Sequence, residues 1–155
     1  MMVYELMNSN IKTLNKNATI LDAMKIMKDE QKGIIVIVEN NKVLGILTDR
    51  DILLLLAKEL SPNTNICKVM KKYVFTISHT ASISDASDLM GQMQVKNLVV
   101  IDEYRNYLGV LFLKDLATNP LTEEYAFDAF IEISYEFSTD YKEIDNIREL
   151  SAFIF

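Results

Sequence analysis

The chain of 155 residues contains the same sequence pattern twice, with the second copy about 63 residues after the first. In the first copy, repeat 1, the recurring positions are Thr13, Ala18, Ile20, Asp22, Ala23, Met27, Gln31, Val36, Leu44, Gly45, Leu47 and Asp51. In repeat 2 they are Thr76, Ala81, Ile83, Asp85, Ala86, Met90, Gln94, Val99, Leu108, Gly109, Leu111 and Asp115. A tandem pair of this size predicts two similar lobes. We expect a ligand site in the cleft between them.

The composition indicates a globular protein without contact to a membrane. Half of the residues are hydrophobic and a quarter are charged. The longest apolar run, residues 52–57, is far shorter than the roughly 20 residues that a bilayer requires. The single cysteine, Cys67, cannot form an internal disulfide, which agrees with a reducing compartment. We therefore expect a cytoplasmic protein.

The acidic charge lies at the end of the chain. Residues 1–119 have a net charge of +1, whereas residues 120–155 have a net charge of −7. Nucleic-acid surfaces need clustered Lys and Arg, and Lys71 and Lys72 are the only adjacent basic pair. We expect no nucleic-acid partner. With one histidine and one cysteine in the sequence, we also expect no metal site of the zinc-ribbon or multi-histidine type.

The hydrophobic pattern predicts the order β-α-β-β-α in each repeat. Repeat 1 has predicted strands at 11–14, 34–38 and 43–48, a helix that begins at the Thr19/Asp22 capping box, an Asn40-Asn41 turn and a helix from Asp49. Repeat 2 has predicted strands at 74–77, 98–101 and 107–112, a helix that begins at the Ser82/Asp85 capping box, and a helix at 113–118. In each repeat the first strand should pair in parallel with the second, and the hairpin should be antiparallel.

We therefore predict an α/β (α+β) fold with two β-α-β-β-α repeats that pack as a pseudo-symmetric pair. The predicted domains are residues 1–60, residues 61–119 and an acidic, amphipathic, helical tail at 120–155. The tail has apolar residues at helical spacing from Ala126 to Phe137, and a second segment that Ser138 or Thr139 could cap. The tail helices could be additional core, a subunit contact or a docking element for a partner.

The phrase Gly45-Ile46-Leu47-Thr48-Asp49-Arg50-Asp51-Ile52, with Leu6-Met7 and Val69-Met70 before the repeats, resembles a tandem CBS-domain pair, or Bateman module. The resemblance covers residues 3 to about 118. It implies a non-catalytic module that binds an adenosine-containing ligand between its lobes and signals occupancy to a partner. AMP, ADP, ATP, NAD and S-adenosylmethionine are the ligands we expect. Some members of the family bind no known ligand.

The resemblance also implies roles for individual residues. Asp51 would accept hydrogen bonds from ribose hydroxyls, and Thr48 would contact ribose or phosphate. Arg50 would reach a phosphate, together with the amides at the helix start. The adenine would lie against Ile11, Thr13, Ile34 and Ile35. The alternative is that Thr48 and Asp51 only form a capping box.

Repeat 2 departs from this pattern because Phe112 replaces the hydroxyl residue. Asp115, Lys114 and Thr76 remain as the elements of a second, weaker site. Phe112 would either crowd the sugar or serve as a core aromatic residue. Both interpretations predict two unequal sites.

The sequence offers no recognisable nucleophile or acid–base pair, so we expect a regulatory protein and no enzyme. We expect a homodimer that binds its ligand chiefly through repeat 1 and acts on an unidentified partner through a rearrangement of its lobes or of the dimer. The alternative is a ligand-free scaffold for dimerisation and protein–protein interaction.

Overall fold

The computed structural model describes residues 1–135, which form two compact units. Unit 1 contains residues 1–9, 75–103 and those from 108 onward, and unit 2 contains residues 10–74 and 104–107. Each unit therefore holds most of one repeat together with the segment that precedes the other repeat. The domain limits predicted at residues 60 and 119 stay predictions. The second predicted tail segment, with Ser138 and Thr139, lies outside the described residues.

The described residues form a mixed α/β structure with two small sheets, which confirms the predicted fold class. In chain order the elements are α1 (Val3–Leu6), α2 (Ile20–Glu30), β1 (Ile34–Glu39), β2 (Lys42–Thr48), α3 (Asp49–Ala57), a 3-10 helix (Ile66–Lys68), β3 (Thr76–Ser78), α4 (Ile83–Met93), β4 (Asn97–Ile101), β5 (Tyr107–Phe112), α5 (Leu113–Thr118) and α6 (Glu123–Tyr135).

In unit 2 an antiparallel hairpin of β1 and β2 packs against the helices through one apolar core. The turn residues Asn40 and Asn41 have φ angles of 50° and 64°. These left-handed values suit a two-residue hairpin turn, which Asn tolerates better than most residues. At the start of α2, the Thr19 hydroxyl accepts a hydrogen bond from the Asp22 N–H at 3.3 Å, and Asp22 accepts one from the Thr19 N–H at 2.9 Å. The predicted capping box is therefore present.

The first strand predicted in repeat 1 is reduced to a single bridge. Leu14 pairs in parallel with Ile37, and its N–H and carbonyl bond to Val36 and Val38 at 3.1 and 2.8 Å. The parallel direction is as predicted, but the prediction of a four-residue strand was wrong. Asn15 turns the chain immediately afterwards by accepting a hydrogen bond from the Ala18 N–H at 3.2 Å, so the pairing cannot continue.

The other edge of this hairpin is covered by the segment that follows the 3-10 helix. Lys71 and Ile46 exchange backbone hydrogen bonds of 2.8 and 2.9 Å. The close approach requires the absence of a side chain at Gly45, where a Cβ atom would lie 2.6 Å from the Lys71 carbonyl oxygen. The backbone of Lys71 is therefore fixed beside β2.

Unit 1 repeats this arrangement with different residues. Its sheet has the order β3-β4-β5, and β3 is parallel to β4 as predicted. Asn8 and Val110 exchange backbone hydrogen bonds of 2.8 and 3.0 Å at the free edge of β5. Lys71 follows Asn8 by 63 residues, and Val110 follows Ile46 by 64 residues, the offset that also relates Gly45 to Gly109. Asn8 and Val110 therefore correspond to Lys71 and Ile46.

Helix α6 belongs to the core of unit 1. Its residues Ala126, Ala129 and Ile133 join the apolar cluster that α4 and α5 contribute to. Two buried hydroxyls fix this region: Ser87 donates to the Tyr125 carbonyl at 2.9 Å, and Thr122 donates to the Leu116 carbonyl at 2.8 Å. The expected roles of the tail helices were additional core, a subunit contact or a docking element for a partner. For α6, the structure favours additional core.

Candidate functional site

Thr48 and Asp51 cap the start of α3, where β2 ends. The Thr48 hydroxyl accepts a hydrogen bond from the Asp51 N–H at 3.2 Å, and Asp51 Oδ2 accepts one from the Thr48 N–H at 3.0 Å. This reciprocal pair is the capping box that the alternative interpretation predicted. It holds the Asp51 carboxylate in a defined position.

The second oxygen of Asp51 forms an ion pair with Lys71. Asp51 Oδ1 lies 2.9 Å from Lys71 Nζ, and the Asp51 side chain is 15% exposed whereas that of Lys71 is 58% exposed. Burial raises the pKa of Asp51, but the hydrogen bonds from Lys71 and from Thr48 outweigh burial and leave the pKa below its ordinary value. Asp51 is therefore an ionised, half-buried acceptor at neutral pH.

The backbone amides at the start of α3 are all engaged. Besides the two N–H groups in the capping box, the Asp49 N–H donates to the Gly33 carbonyl at 3.0 Å, and the Arg50 N–H donates to Asp49 Oδ1 at 2.8 Å. These are the four amides that a helix leaves without an internal partner. In this conformation each of them has a partner, and the expectation that they add to a phosphate site stays a prediction. Arg50 itself has an exposed side chain.

The predicted apolar site residues are divided between the two faces of the hairpin. Ile34 is paired with Thr48 across the ladder, so their side chains lie on the same face. The neighbouring Ile35 is paired with Leu47, and both belong to the core of unit 2. The structure thus brings Ile34 beside the capping residues and directs the Ile35 side chain into the core.

Ile11 and Thr13 lie on the opposite side of β1 from β2, in the segment that Leu14 joins to β1. Ile11 is buried and Thr13 is half-buried. The order of backbone segments across unit 2 is therefore the Leu14 segment, β1, β2 and the Lys71 segment.

The corresponding residues of unit 1 differ in the ways that matter for a polar ligand. Phe112 occupies the N-cap position of α5 without a side-chain capping bond, and it is 8% exposed. Asp115 is half-buried and Lys114 is exposed, while Thr76 is half-buried and pairs with Val99. Unit 1 therefore retains a carboxylate and a cation but has a buried aromatic ring where unit 2 has a hydroxyl.

Lys71 is the residue that the sequence interpretation missed. In the sequence Lys71 stands out only as half of a basic pair with Lys72, and Asn8 occupies the corresponding position before repeat 1. The signal that could have identified Lys71 is its position in the repeat. Lys71 directly follows Val69-Met70, just as Asn8 directly follows the matching Leu6-Met7. That match places both residues at equivalent points of the repeat.

Residues 1–135 contain no group of three or more His, Cys, Asp or Glu side chains suited to hold a metal ion. In the same part of the chain, none of the helices combines the length and apolar character needed to cross a lipid bilayer.

Comparison with known proteins identifies both repeats. The CBS domain family matches residues 3–58 and 66–121. The CBS domain-containing protein YhcV of Bacillus subtilis is 35% identical over 135 residues, which cover 86% of this chain and 96% of YhcV.

Two similar solved structures contain adenosine compounds. The CBS domain protein PAE2072 from Pyrobaculum aerophilum, complexed with AMP, has a TM-score of 0.76 at 19% identity. The alignment covers 83% of this chain and 99% of PAE2072. The CBS domain pair of protein MJ0100, in complex with 5′-methylthioadenosine and S-adenosyl-L-methionine, has a TM-score of 0.69 at 24% identity. That alignment covers 76% of this chain and 93% of MJ0100.

Proposed function

The chain belongs to the CBS domain family as a tandem pair, and from that premise we propose that it is a regulatory module that binds an adenosine-containing ligand chiefly through unit 2. CBS pairs are generally regulatory and non-catalytic, and the solved pairs PAE2072 and MJ0100 bind AMP or 5′-methylthioadenosine and S-adenosyl-L-methionine. The ligand class, the roles of individual residues and the signal to a partner are our proposals for this chain.

The observation that carries the proposal is the state of Asp51. A half-buried carboxylate with a lowered pKa, held by a capping box, is a fixed acceptor for a vicinal diol. Such a diol distinguishes a nucleoside from a free base. Thr48 lies beside this carboxylate and supplies a hydroxyl at the rim of the same site.

The width of the sheet supports the placement of the base. Neighbouring strands are about 4.8 Å apart, so the Leu14 segment and β2 are separated by about 10 Å across β1. A base joined to a ribose can span this distance. We therefore propose that adenine lies near Ile11, Thr13 and Ile34, and that the ribose lies at Asp51. Ile35 would contribute only through its backbone, because its side chain packs in the core.

The experiment that tests this proposal is a thermal-shift series with AMP, ADP, ATP, NAD and S-adenosylmethionine. A ligand at a hundred times its Kd adds about 2.7 kcal/mol, which corresponds to a rise in Tm of roughly 5 to 10 °C for a chain of this size. Asp51→Asn should remove the shift that a bound ligand produces. Asp115→Asn, the matched change in unit 1, should affect it less. A shift that survives Asp51→Asn contradicts the site assignment.

A second candidate function is supported by the surface of α3. Leu53 and Leu54 are 67% and 53% exposed, which favours a protein contact such as the expected homodimer. In this function the chain is a scaffold that needs no ligand. Light scattering of the full chain should then give the mass of a dimer, and Leu53→Glu should give that of a monomer. A dimer without any ligand-induced Tm shift would favour the scaffold over the sensor.

A further inference from the structure

Lys71 has a fixed backbone and a largely exposed side chain. Its N–H and carbonyl are both bonded to Ile46, and the absence of a side chain at Gly45 permits this contact. Beyond that anchor, the side chain is 58% exposed and reaches Asp51 with its ammonium group. Because a lysine stem has several rotatable bonds, the ammonium can move while the backbone stays in place.

The Lys71 ammonium pairs with the Asp51 carboxylate, which is the group that the proposed function assigns to the ribose hydroxyls. Asp51 Oδ2 is bonded to the Thr48 N–H, and Oδ1 is bonded to Lys71. A diol that approaches Asp51 therefore competes with Lys71 for Oδ1. Release of the ammonium costs little on the lysine side, because the Lys71 side chain is 58% exposed and water solvates the ammonium, while the diol replaces its contact with the half-buried Asp51. A ligand can displace the Lys71 ammonium from Asp51. The new contacts of the ammonium then influence the affinity for that ligand.

The surroundings of Asp51 contain few other groups for a phosphate. The four amides at the start of α3 are engaged, as described above. The first turn of α3 also carries the carboxylates of Asp49 and Asp51, which repel an anion. A phosphate at this end of the helix therefore depends on side-chain cations. Lys71 and Arg50 are the two cationic side chains that the structure and the repeat pattern put there.

We propose that Lys71 exchanges Asp51 for the 5′-phosphate of the bound ligand, so that the site selects adenosine 5′-phosphates over uncharged or cationic adenosine compounds. This inference rests on the proposed function, because it assumes that a ribose binds at Asp51. A 5′-phosphate is joined to the ribose through a single methylene group, so an ammonium beside the ribose-binding carboxylate can reach it by side-chain rotation. An uncharged ligand would leave the ammonium in water, and a sulfonium ligand would be repelled by it.

Unit 1 has an asparagine, Asn8, at the position of Lys71. Asn8 has the backbone pairing of Lys71 but carries no charge, so no ammonium competes for Asp115 from that position. The difference between Lys71 and Asn8 adds to the difference between Thr48 and Phe112. The two repeats are therefore expected to differ in ligand charge preference as well as in strength.

The test measures the Kd of AMP and of 5′-methylthioadenosine by isothermal titration calorimetry for the full chain and two variants. In the wild type we expect AMP to bind more tightly than 5′-methylthioadenosine by about tenfold, the order of one charge-assisted contact at a partly exposed site. Lys71→Met should lower AMP affinity and leave 5′-methylthioadenosine affinity equal or higher, which reduces the preference by about tenfold. Lys72→Met removes the same charge from the adjacent exposed lysine and should change the preference less than about twofold.

The outcomes separate the inference from the proposed function. If Lys71→Met weakens both ligands equally, changes neither, or acts no differently from Lys72→Met, the exchange is refuted, while Asp51→Asn and Asp115→Asn decide separately whether the ligand binds at unit 2. A wild type that prefers 5′-methylthioadenosine also refutes the exchange. If the wild type binds neither of these nor any other adenosine ligand, the proposed function fails and the inference fails with it. Urea denaturation of each variant verifies that the fold is retained.

Discussion

Thr48 and Asp51 each donate a backbone N–H to the other's side chain, at 3.0 and 3.2 Å. Thr48, the last residue of β2, and Asp51, in the first turn of α3, are the residues proposed to bind the sugar. Capping and ligand binding are compatible here, because a carboxylate has about four lone-pair sites and the cap uses only part of them.

Thr48→Ala should lower the free energy of unfolding by about 1 kcal/mol, because it removes the acceptor for the Asp51 N–H. Thr48→Ser retains a hydroxyl and should lower it by much less. Urea denaturation followed by circular dichroism measures both values. Equal losses in the two variants would mean that the methyl group, and not the cap, stabilises this position.

The contribution of Asp51 to stability should depend on pH. Burial raises the pKa of Asp51, but hydrogen bonds from Lys71 and Thr48 leave it below the ordinary value. A lowered pKa in the folded state stabilises the fold above the ordinary aspartate pKa of about 3.9, and this stabilisation is lost as the pH falls toward the folded value. The difference in unfolding free energy between wild type and Asp51→Asn should therefore shrink between about pH 7 and about pH 3. A difference that is constant, or that grows in acid, contradicts the assigned sign.

Gly45→Ala should lower the free energy of unfolding by about 1 to 3 kcal/mol, the range for overpacked sites. The added Cβ would lie 2.6 Å from the Lys71 carbonyl oxygen and 2.8 Å from Met70 Sδ. Gly33→Ala is the matched control, because its Cβ would first meet the carboxylate end of Asp49 at 2.8 Å, and that side chain can rotate away. Thermal unfolding of both variants should give the larger loss for Gly45→Ala, and the opposite order would contradict the close backbone contact.

Thr122→Val should destabilise unit 1 by about 1 to 2 kcal/mol, because it leaves the Leu116 carbonyl without its buried hydroxyl donor. Thr122 is 1% exposed. Thr118→Val is the matched control: its hydroxyl donates to the Lys114 carbonyl at 3.0 Å, but the residue is exposed. Its expected loss is below about 0.5 kcal/mol, since water replaces the bond. Similar losses at both positions would argue against the tight docking of α6.

Local signals in the sequence predicted the helix starts and the hairpin well. The Thr19, Thr48 and Ser82 capping boxes all formed, because each depends only on residues three positions apart. Asn40-Asn41 formed the expected turn for the same reason. The bounds of β5 and α5 also match the prediction.

Pairings between distant segments could not be predicted in this way. Lys71 and Ile46 are separated by 24 intervening residues, so no local signal predicts their contact. The same holds for residues 1–9, which fold with repeat 2 although they precede repeat 1. The ion pair at Asp51 follows from the contact of Lys71 with Ile46 and was missed with it. The predicted strand at 11–14 was too long because a period of two indicates an extended segment but not how much of it pairs with a neighbour, and the bridge to β1 forms at Leu14.

The first residues of the chain form part of the unit that holds the second repeat. The Val3 N–H donates to the Ala81 carbonyl at 2.9 Å, and the Ile83 N–H donates to the Met1 carbonyl at 3.0 Å. A fluorophore attached near Met1 would therefore report on the environment of repeat 2 rather than on that of repeat 1. For spectroscopic work on the Asp51 region, a probe belongs in the segment that follows Leu60, which is folded with repeat 1.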